Sequence, residues 1–228
     1  MTDPVRHLAQ TGHLDRFYID GAWVKPQGRE RAEVVDPATE TVIAEIPLGS
    51  MSDTDHAVRA ARKAFCGWSR TTPSERAALL SRIHALVLER ADLIAYALSA
   101  EMGAAIIYAR QAQVPLAAEH IRVARDNLAT FPFVSQRGTT AICKEPIGVC
   151  ALITPWNWPL YQITAKVGPA LAAGCTVVLK PSELSPLSAI LFAEIMEEAG
   201  CPPGVFNLVH GSGPVSYTHL TLPTTPYV

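Results

Sequence analysis

The chain has 228 residues, 49% of them hydrophobic and 18% charged, with a formal net charge of −2 and a pI near 6.4. That length suits one large domain or one and a half ordinary ones, and the apolar-rich balance excludes a disordered chain. The near-neutral charge offers no basic face for nucleic acid, and no uninterrupted apolar run approaches the roughly eighteen residues that a membrane span needs.

The most apolar helical stretch, 77–98, is broken by Arg82, His84, Glu89, Arg90 and Asp92. Residues 1–10 carry charge with no apolar run behind it, so they do not read as a signal peptide. Five cysteines stand at Cys66, Cys143, Cys150, Cys175 and Cys201. An odd count without Cys-x-x-Cys fits a reducing, cytoplasmic setting. No metal site, nucleic-acid partner or membrane partner is expected, and a small-molecule or protein partner is the better default.

In chain order, residues 17–25 read as a hairpin, with aromatic and β-branched residues flanking the turn dipeptide Asp20-Gly21. A second strand pair is expected over 34–46. Ser52 is read as the cap of a helix to about Phe65, with Asp53 and Asp55 in its first turn and Gly67 closing it. Thr72, Pro73 and Glu75 form a complete start signal for the next helix, a capping box with proline at the first position. A helix over 92–102 should stop at Gly103. Another should cover 105–128, with Val114-Pro115 bending or restarting it. Residues 131–144 look extended around an Arg137-Gly138 turn.

From Gly148 the pattern changes. Residues 149–153 form a continuous apolar run, as expected for a strand buried on both faces. A loop over 154–158 leads to a helix over 159–173, ended by Gly174. A second buried strand covers 175–179. A loop from Lys180 leads to a helix over 186–199, ended by Gly200. A third strand covers 205–209, followed by His210-Gly211-Ser212-Gly213. Strand–helix–strand–helix–strand with short connections is half of a doubly wound nucleotide-binding sheet, an α/β, Rossmann-like fold class. The expected division is an N-terminal hairpin and helical part over 1–130, an extended strand segment over 131–146, a half-Rossmann unit over 147–215, and a tail over 216–228.

Ligands bind outside the carboxyl ends of strands in such sheets, which singles out three loops. The first, Thr154-Pro155-Trp156-Asn157-Trp158, holds one amide between two indoles. Asn157 can donate a hydrogen bond to an oxygen that turns negative during reaction, helped by the following helix start. It can equally cap its own helix, although the double-tryptophan setting favours the chemical role. In the second loop, Lys180-Pro181-Ser182-Glu183, an acidic residue near a strand end suits ribose hydroxyls, while a solvated charged turn is the plain alternative. In the third, Gly211 and Gly213 let backbone N–H groups approach a pyrophosphate or make a simple turn.

Taken together, Ile147–Pro159, Gly168–Glu183 and Pro203–Gly211 closely resemble the aldehyde dehydrogenase superfamily, as do the 17–21 hairpin, Asp36-Pro37-Ala38-Thr39 and Glu101-Met102-Gly103. The resemblance covers about residues 17–215. It implies that Asn157 is the side-chain half of an oxyanion hole. It also implies that Ile153, Thr154, Pro155 and Trp156 line the nicotinamide side of a cofactor cleft. Lys180 and Glu183 would hold the adenosine ribose on a turn shaped by Pro181 and Ser182, and Gly211 and Gly213 would approach the adenine and phosphates. The implied cofactor is NAD, because a Glu183 carboxylate repels a 2′-phosphate, with NADP possible because of Lys180. The implied reaction oxidises an aldehyde to a carboxylic acid in a homo-oligomer, for which the resemblance makes 131–146 the oligomerisation strand segment.

In the family a cysteine thiolate attacks the aldehyde and a glutamate activates the hydrolytic water; both are expected downstream of this sequence. The five cysteines do not occupy a matching motif, and Glu101, at a helix end, reads as structural. The tail from Ser216, with Pro223 and Pro226, departs from the family pattern where a helix is due. It is expected to be foreign to a truncated parent, and an uninterrupted genomic frame ending at Val228 would refute that. With half a sheet missing, residues 205–209 or a neighbour are expected to form an open edge prone to self-association. Three functional classes follow: an aldehyde dehydrogenase represented by its N-terminal part, an inert nucleotide-binding module, and an interaction protein docking through helices over 53–128.

Overall fold

A computed structural model describes residues 3–212. Its first helix, α1 (Pro4–Thr11), has no counterpart among the sequence expectations. The Asp3 carboxylate accepts the Val5 N–H at 2.9 Å, and Gly12 closes the helix at φ 72°. Only Pro4 and Leu8 are buried on it, too few to show as an apolar period. After a 3₁₀ turn (His13–Asp15) come β1 (Phe17–Ile19) and β2 (Ala22–Val24), an antiparallel hairpin. Asp20 and Gly21 both take positive φ (53° and 76°), the twist that suits a two-residue hairpin turn.

Strands β3 (Arg31–Asp36) and β4 (Thr41–Pro47) form a separate ribbon. Helix α2 (Met51–Trp68) begins at Ser50, two residues before the expected cap. The reason lies in Asp53. Its carboxylate accepts the Ser50 N–H and hydroxyl at 2.8 Å each, and also the N–H groups of Gln27 (2.9 Å) and Gly28 (3.1 Å). Burial alone would raise its pKa, but donation from Gln27, Ser50 and Gly28 outweighs this and holds the carboxyl below its ordinary value. Helix α3 (Pro73–Glu89) starts at the expected box: the Glu75 N–H donates to the Thr72 hydroxyl at 3.2 Å, and the Thr72 N–H donates to the Glu75 carboxylate at 2.7 Å.

Helix α4 (Ala91–Met102) ends at Gly103, φ 75°. The expected long helix after it divides into a short α5 (Ile106–Tyr108), a π-helical turn (Ala109–Gln113) and α6 (Val114–Asn127). Pro115 has no N–H to donate to the preceding turn, and the wider π turn sits immediately before it. Strands β5 (Val134–Arg137) and β6 (Thr140–Cys143) make an exposed hairpin. There follow β7 (Val149–Ile153), α7 (Pro159–Ala173), β8 (Thr176–Lys180), α8 (Leu187–Glu198) and β9 (Phe206–Leu208).

The main sheet has the order β2-β1-β9-β8-β7, with β7, β8 and β9 parallel and the β1–β2 hairpin antiparallel on the far side of β9. Tyr18 pairs with Leu208. The open edge expected at 205–209 is therefore closed by β1, a pairing across nearly the whole chain that no local pattern announces. Among the described residues, the outer edge of β7 is the one at the parallel end without a partner.

Side chains of β8 alternate between two apolar layers, as strand geometry dictates. Val178 joins Phe17, Ile19, Val209 and the Ala57–Ala61 face of α2. Val177 and Leu179 join the larger layer built by α3, α4, α6, α7 and α8, with Leu80, Ile83, Ile121, Val167, Ile190 and Phe206. Helices thus cover both faces of a parallel sheet, the doubly wound arrangement. At Gly204, φ 76°, a Cβ would lie 2.6 Å from the Ala60 carbonyl oxygen, so only glycine lets α2 approach so closely. Asn207, fully buried, ties β9 to its neighbours. Its amide donates to the carbonyls of Val177 (3.1 Å) and Gly204 (2.8 Å), and its oxygen accepts the Asp20 N–H (3.0 Å). No helix of the described residues is long and apolar enough to cross a membrane.

Candidate functional site

The parallel register brings the strand ends to one edge. Ile153, the last residue of β7, pairs with Lys180, the last residue of β8, and Leu179 pairs with Leu208 at the end of β9. The Thr154 N–H donates to the Lys180 carbonyl at 3.2 Å, extending the ladder one residue into the first loop. Three loops therefore leave the sheet side by side.

In the first loop, Ile153 is half-buried and Thr154 is buried, with its hydroxyl lacking a hydrogen-bond partner. Pro155, Trp156 and Asn157 are exposed, Trp156 to 51%. Trp158 packs inward, edge-on to Tyr108 (5.8 Å) and Tyr161 (5.6 Å). The two indoles thus differ: Trp158 anchors the loop and Trp156 stands out from it. The residue preceding α7 is Trp158, with no side-chain cap bond, so Asn157 does not cap its own helix. Asn157 stands exposed beside the start of a 15-residue helix.

The second loop is more tightly built. Lys180 is 5% exposed, yet its ammonium lies 3.2 Å from the Glu183 carboxylate. Pro181 is buried, and the Ser182 hydroxyl accepts the Leu184 N–H at 3.3 Å. Trp156 and Leu184 line one cavity of about 230 Å³ with Glu33, Val35, Pro37 and Met102, which places the first and second loops against each other. The loop's exit is fixed from below by Glu101. This carboxylate, 4% exposed, accepts the N–H groups of Leu187 (2.5 Å) and Ser188 (3.2 Å) at the start of α8. Burial pushes its pKa up to about 7 despite those bonds. Glu101 is structural, as its place at a helix end indicates.

In the third loop Gly211 is buried, and Gly213 lies outside the described residues, as does the tail from Ser216. His210, to which sequence reasoning gave no role, is 1% exposed with both ring nitrogens unpartnered. Burial and the nearby Lys180 charge push its pKa down to about 3, so the ring is neutral. It packs edge-on to Phe17 at 5.7 Å, and its carbonyl accepts the Gly49 N–H at 2.8 Å, locking the third loop to the hairpin and to the start of α2. The signal available in sequence was a polar residue directly after a buried strand.

The five cysteines lie elsewhere. Cys66 and Cys143 are exposed away from the strand-end loops, Cys150 is within β7, and Cys175 and Cys201 are buried. Among the described residues, no group of three or more histidine, cysteine or acidic side chains is placed to hold a metal.

Comparison with known proteins decides the family. The model of the "Aldehyde dehydrogenase family" matches residues 23–225. The chain belongs to this family. It is 53% identical over 199 residues to 3-succinoylsemialdehyde-pyridine dehydrogenase of a Pseudomonas species, covering 87% of this chain and 42% of that protein. Among solved structures, a mutant aldehyde dehydrogenase C of Pseudomonas syringae in complex with NAD+ and octanal matches with a TM-score of 0.90 and 63% identity, over 91% of this chain and 43% of that one. The aldehyde dehydrogenase of Bartonella henselae matches with a TM-score of 0.87 and 45% identity, over 90% and 44%. The chain thus spans less than half the length of these relatives. An aldehyde dehydrogenase-type sheet is present, with its strand-end loops assembled at one edge.

Proposed function

We propose that this chain forms the dinucleotide-binding part of an NAD-dependent aldehyde dehydrogenase, which oxidises an aldehyde to a carboxylic acid. The observation that carries the reading is the Ile153–Lys180 pairing, which sets the outward Asn157 loop beside the Lys180–Glu183 ion pair. The complex of the Pseudomonas syringae relative with NAD+ and octanal supports both the cofactor and the substrate class.

The residues fit a dinucleotide. Thr154 has a buried hydroxyl without a partner directly after β7, Lys180 offers a donor, and Glu183 offers an acceptor for vicinal ribose hydroxyls. Ile153, Thr154, Pro155 and Trp156 line the nicotinamide side, Pro181 and Ser182 shape the ribose turn, and Gly211 admits the phosphates. Gly213 would share that last role. NAD is favoured over NADP because the Glu183 carboxylate repels a 2′-phosphate, and Lys180, already paired with Glu183, offsets this only in part. Bound NAD supplies the acceptor for the hydride leaving the substrate carbon. Asn157 donates its amide N–H to the substrate oxygen as that oxygen becomes negative, and the positive end of α7 adds to that stabilisation.

A second reading applies to these 228 residues taken alone: they bind the nucleotide without turnover. It is favoured by the cysteine positions, none of which lies in a strand-end loop. Titration with NAD followed by Trp156 and Trp158 fluorescence, beside an NADH assay on an aldehyde panel, separates the two. Saturable quenching without NADH supports the second reading. Aldehyde-dependent NADH formation by this chain contradicts it, and absence of any NAD response refutes both.

A further inference from the structure

At the opposite, amino-terminal ends of the parallel strands lies a cavity of about 580 Å³. It runs between the α2–α3 joint and the segment entering β7, lined by Arg70, Arg76, Lys144, Glu145, Phe133 and Pro146 among others. Three cations and one carboxylate face it, an excess of positive charge in an otherwise slightly acidic chain. Its size falls within the range of small-molecule sites, about 300–1,000 Å³.

The distinctive group is Arg76. It is 5% exposed, its Nε is buried without a partner, and among the described residues no carboxylate pairs with it. One face of its guanidinium lies 5.1 Å from the centre of the Phe133 ring. Gly174, φ 89°, makes room for it: a Cβ there would stand 2.7 Å from Nη1. An ionisable group at its side is Cys175, whose pKa is lowered first by its hydrogen bond with Cys150 and in smaller part by the Arg76 charge. An arginine stays charged even where burial disfavours the charge, and its planar fork matches oxyanions. A buried guanidinium held without a carboxylate is therefore an anion site in waiting. Arg70 and Lys144 stand exposed at the same cavity, and Lys144 is steadied over the Phe131 ring at 4.6 Å.

We propose that this cavity binds a small phosphate-bearing anion, held by Arg76 at its floor with Arg70 and Lys144 at its mouth. The site is remote from the strand-end loops by topology. Pro146 precedes β7 and Ala173 precedes β8, whereas the cofactor loops follow those strands. The cavity exceeds a bare phosphate, so an organic phosphate such as glycerol 3-phosphate should bind more tightly than the inorganic ion.

The test is calorimetric titration of the 228-residue chain with inorganic phosphate and with glycerol 3-phosphate, ionic strength held constant with sodium chloride. Arg76→Met and Arg70→Met are run in parallel, and wild type is repeated in saturating NAD. The expected result is saturable binding, weakened at least tenfold by Arg76→Met, several-fold by Arg70→Met, and unchanged by NAD. If Arg76→Met fails to fold, the exposed Arg70→Met decides. The proposal is overturned if neither phosphate binds saturably, as it would be were the Cys175 thiolate the counter-ion of Arg76. It is equally overturned if the variants bind like wild type, or if NAD displaces the phosphate.

Discussion

Glu101 gives the sharpest test of how the second loop is held. Its carboxylate is fully buried beneath the start of α8 and has a pKa raised from an ordinary 4.5 to about 7. The folded protein therefore holds this proton more tightly than the unfolded chain. The associated stability is fully present below about pH 4.5 and is lost as pH rises towards 7. A rise from 4.5 to about 7 corresponds to about 3 kcal/mol. In Glu101→Gln the side chain keeps an oxygen to accept the Leu187 and Ser188 N–H groups but cannot ionise. Urea unfolding followed by tryptophan fluorescence at pH 4, 5, 6, 7 and 8 should show the wild type losing about 3 kcal/mol relative to Glu101→Gln across that series. Taking the difference between the two proteins cancels other titrations, such as that of Asp53, whose lowered pKa places its contribution at more acidic pH. Parallel pH profiles for the two would refute the reasoning, because the carboxyl would then be ionised as readily in the folded state as in the unfolded one.

Glu194 holds the first helix: its carboxylate accepts from His7 (2.8 Å), His13 (2.6 Å) and Thr11 (3.3 Å), and pairs with Arg90 at 3.1 Å. Glu194→Ala should cost about 2 kcal/mol, since several part-buried donors lose one acceptor, and should speed hydrogen exchange over 4–11; unchanged exchange there would count against the clasp. Asn157→Ala, at an exposed amide, should leave unfolding within about 0.5 kcal/mol of wild type, and a large loss would show an anchoring role instead. The Thr154 N–H points to β8, so by strand alternation the Ala151 N–H points outward from the free edge of β7. Ala151→Pro should therefore reduce concentration-dependent self-association in sedimentation without breaking the ladder. Equal association of both proteins would place the sticky surface elsewhere.

Much of the fold was legible where one short segment carries its own reason. Thr72, Pro73 and Glu75 start α3 as their chemistry requires, and the apolar runs read at 149–153 and 175–179 form the parallel pair β7 and β8, the latter one residue later at each end. What escaped depends on partners distant in sequence or on too few residues. Helix α1 buries only Pro4 and Leu8, so its cap at Asp3 had no apolar period to confirm it. The β1–β9 pairing joins Tyr18 to Leu208, and Glu101 reaches α8 across 86 residues. Ser50 takes the cap of α2 because Asp53 also gathers Gln27 and Gly28, a tertiary preference invisible in the helix itself. At the candidate site, Asn157, Lys180 and Glu183 were singled out by rule, from strand ends and residue chemistry, and all three lie in or at the start of the strand-end loops. His210 was not singled out, because its burial and its neighbour Lys180 emerge only when β8 and β9 lie side by side.

The proposed dinucleotide groove lies at the carboxyl ends of β7, β8 and β9. Hydrogen–deuterium exchange of the chain with and without saturating NAD tests it most directly. The predicted result is protection confined to 153–158, 180–185 and 209–213. Protection centred instead on 69–76 and 143–146, or no change anywhere along the chain, would contradict it.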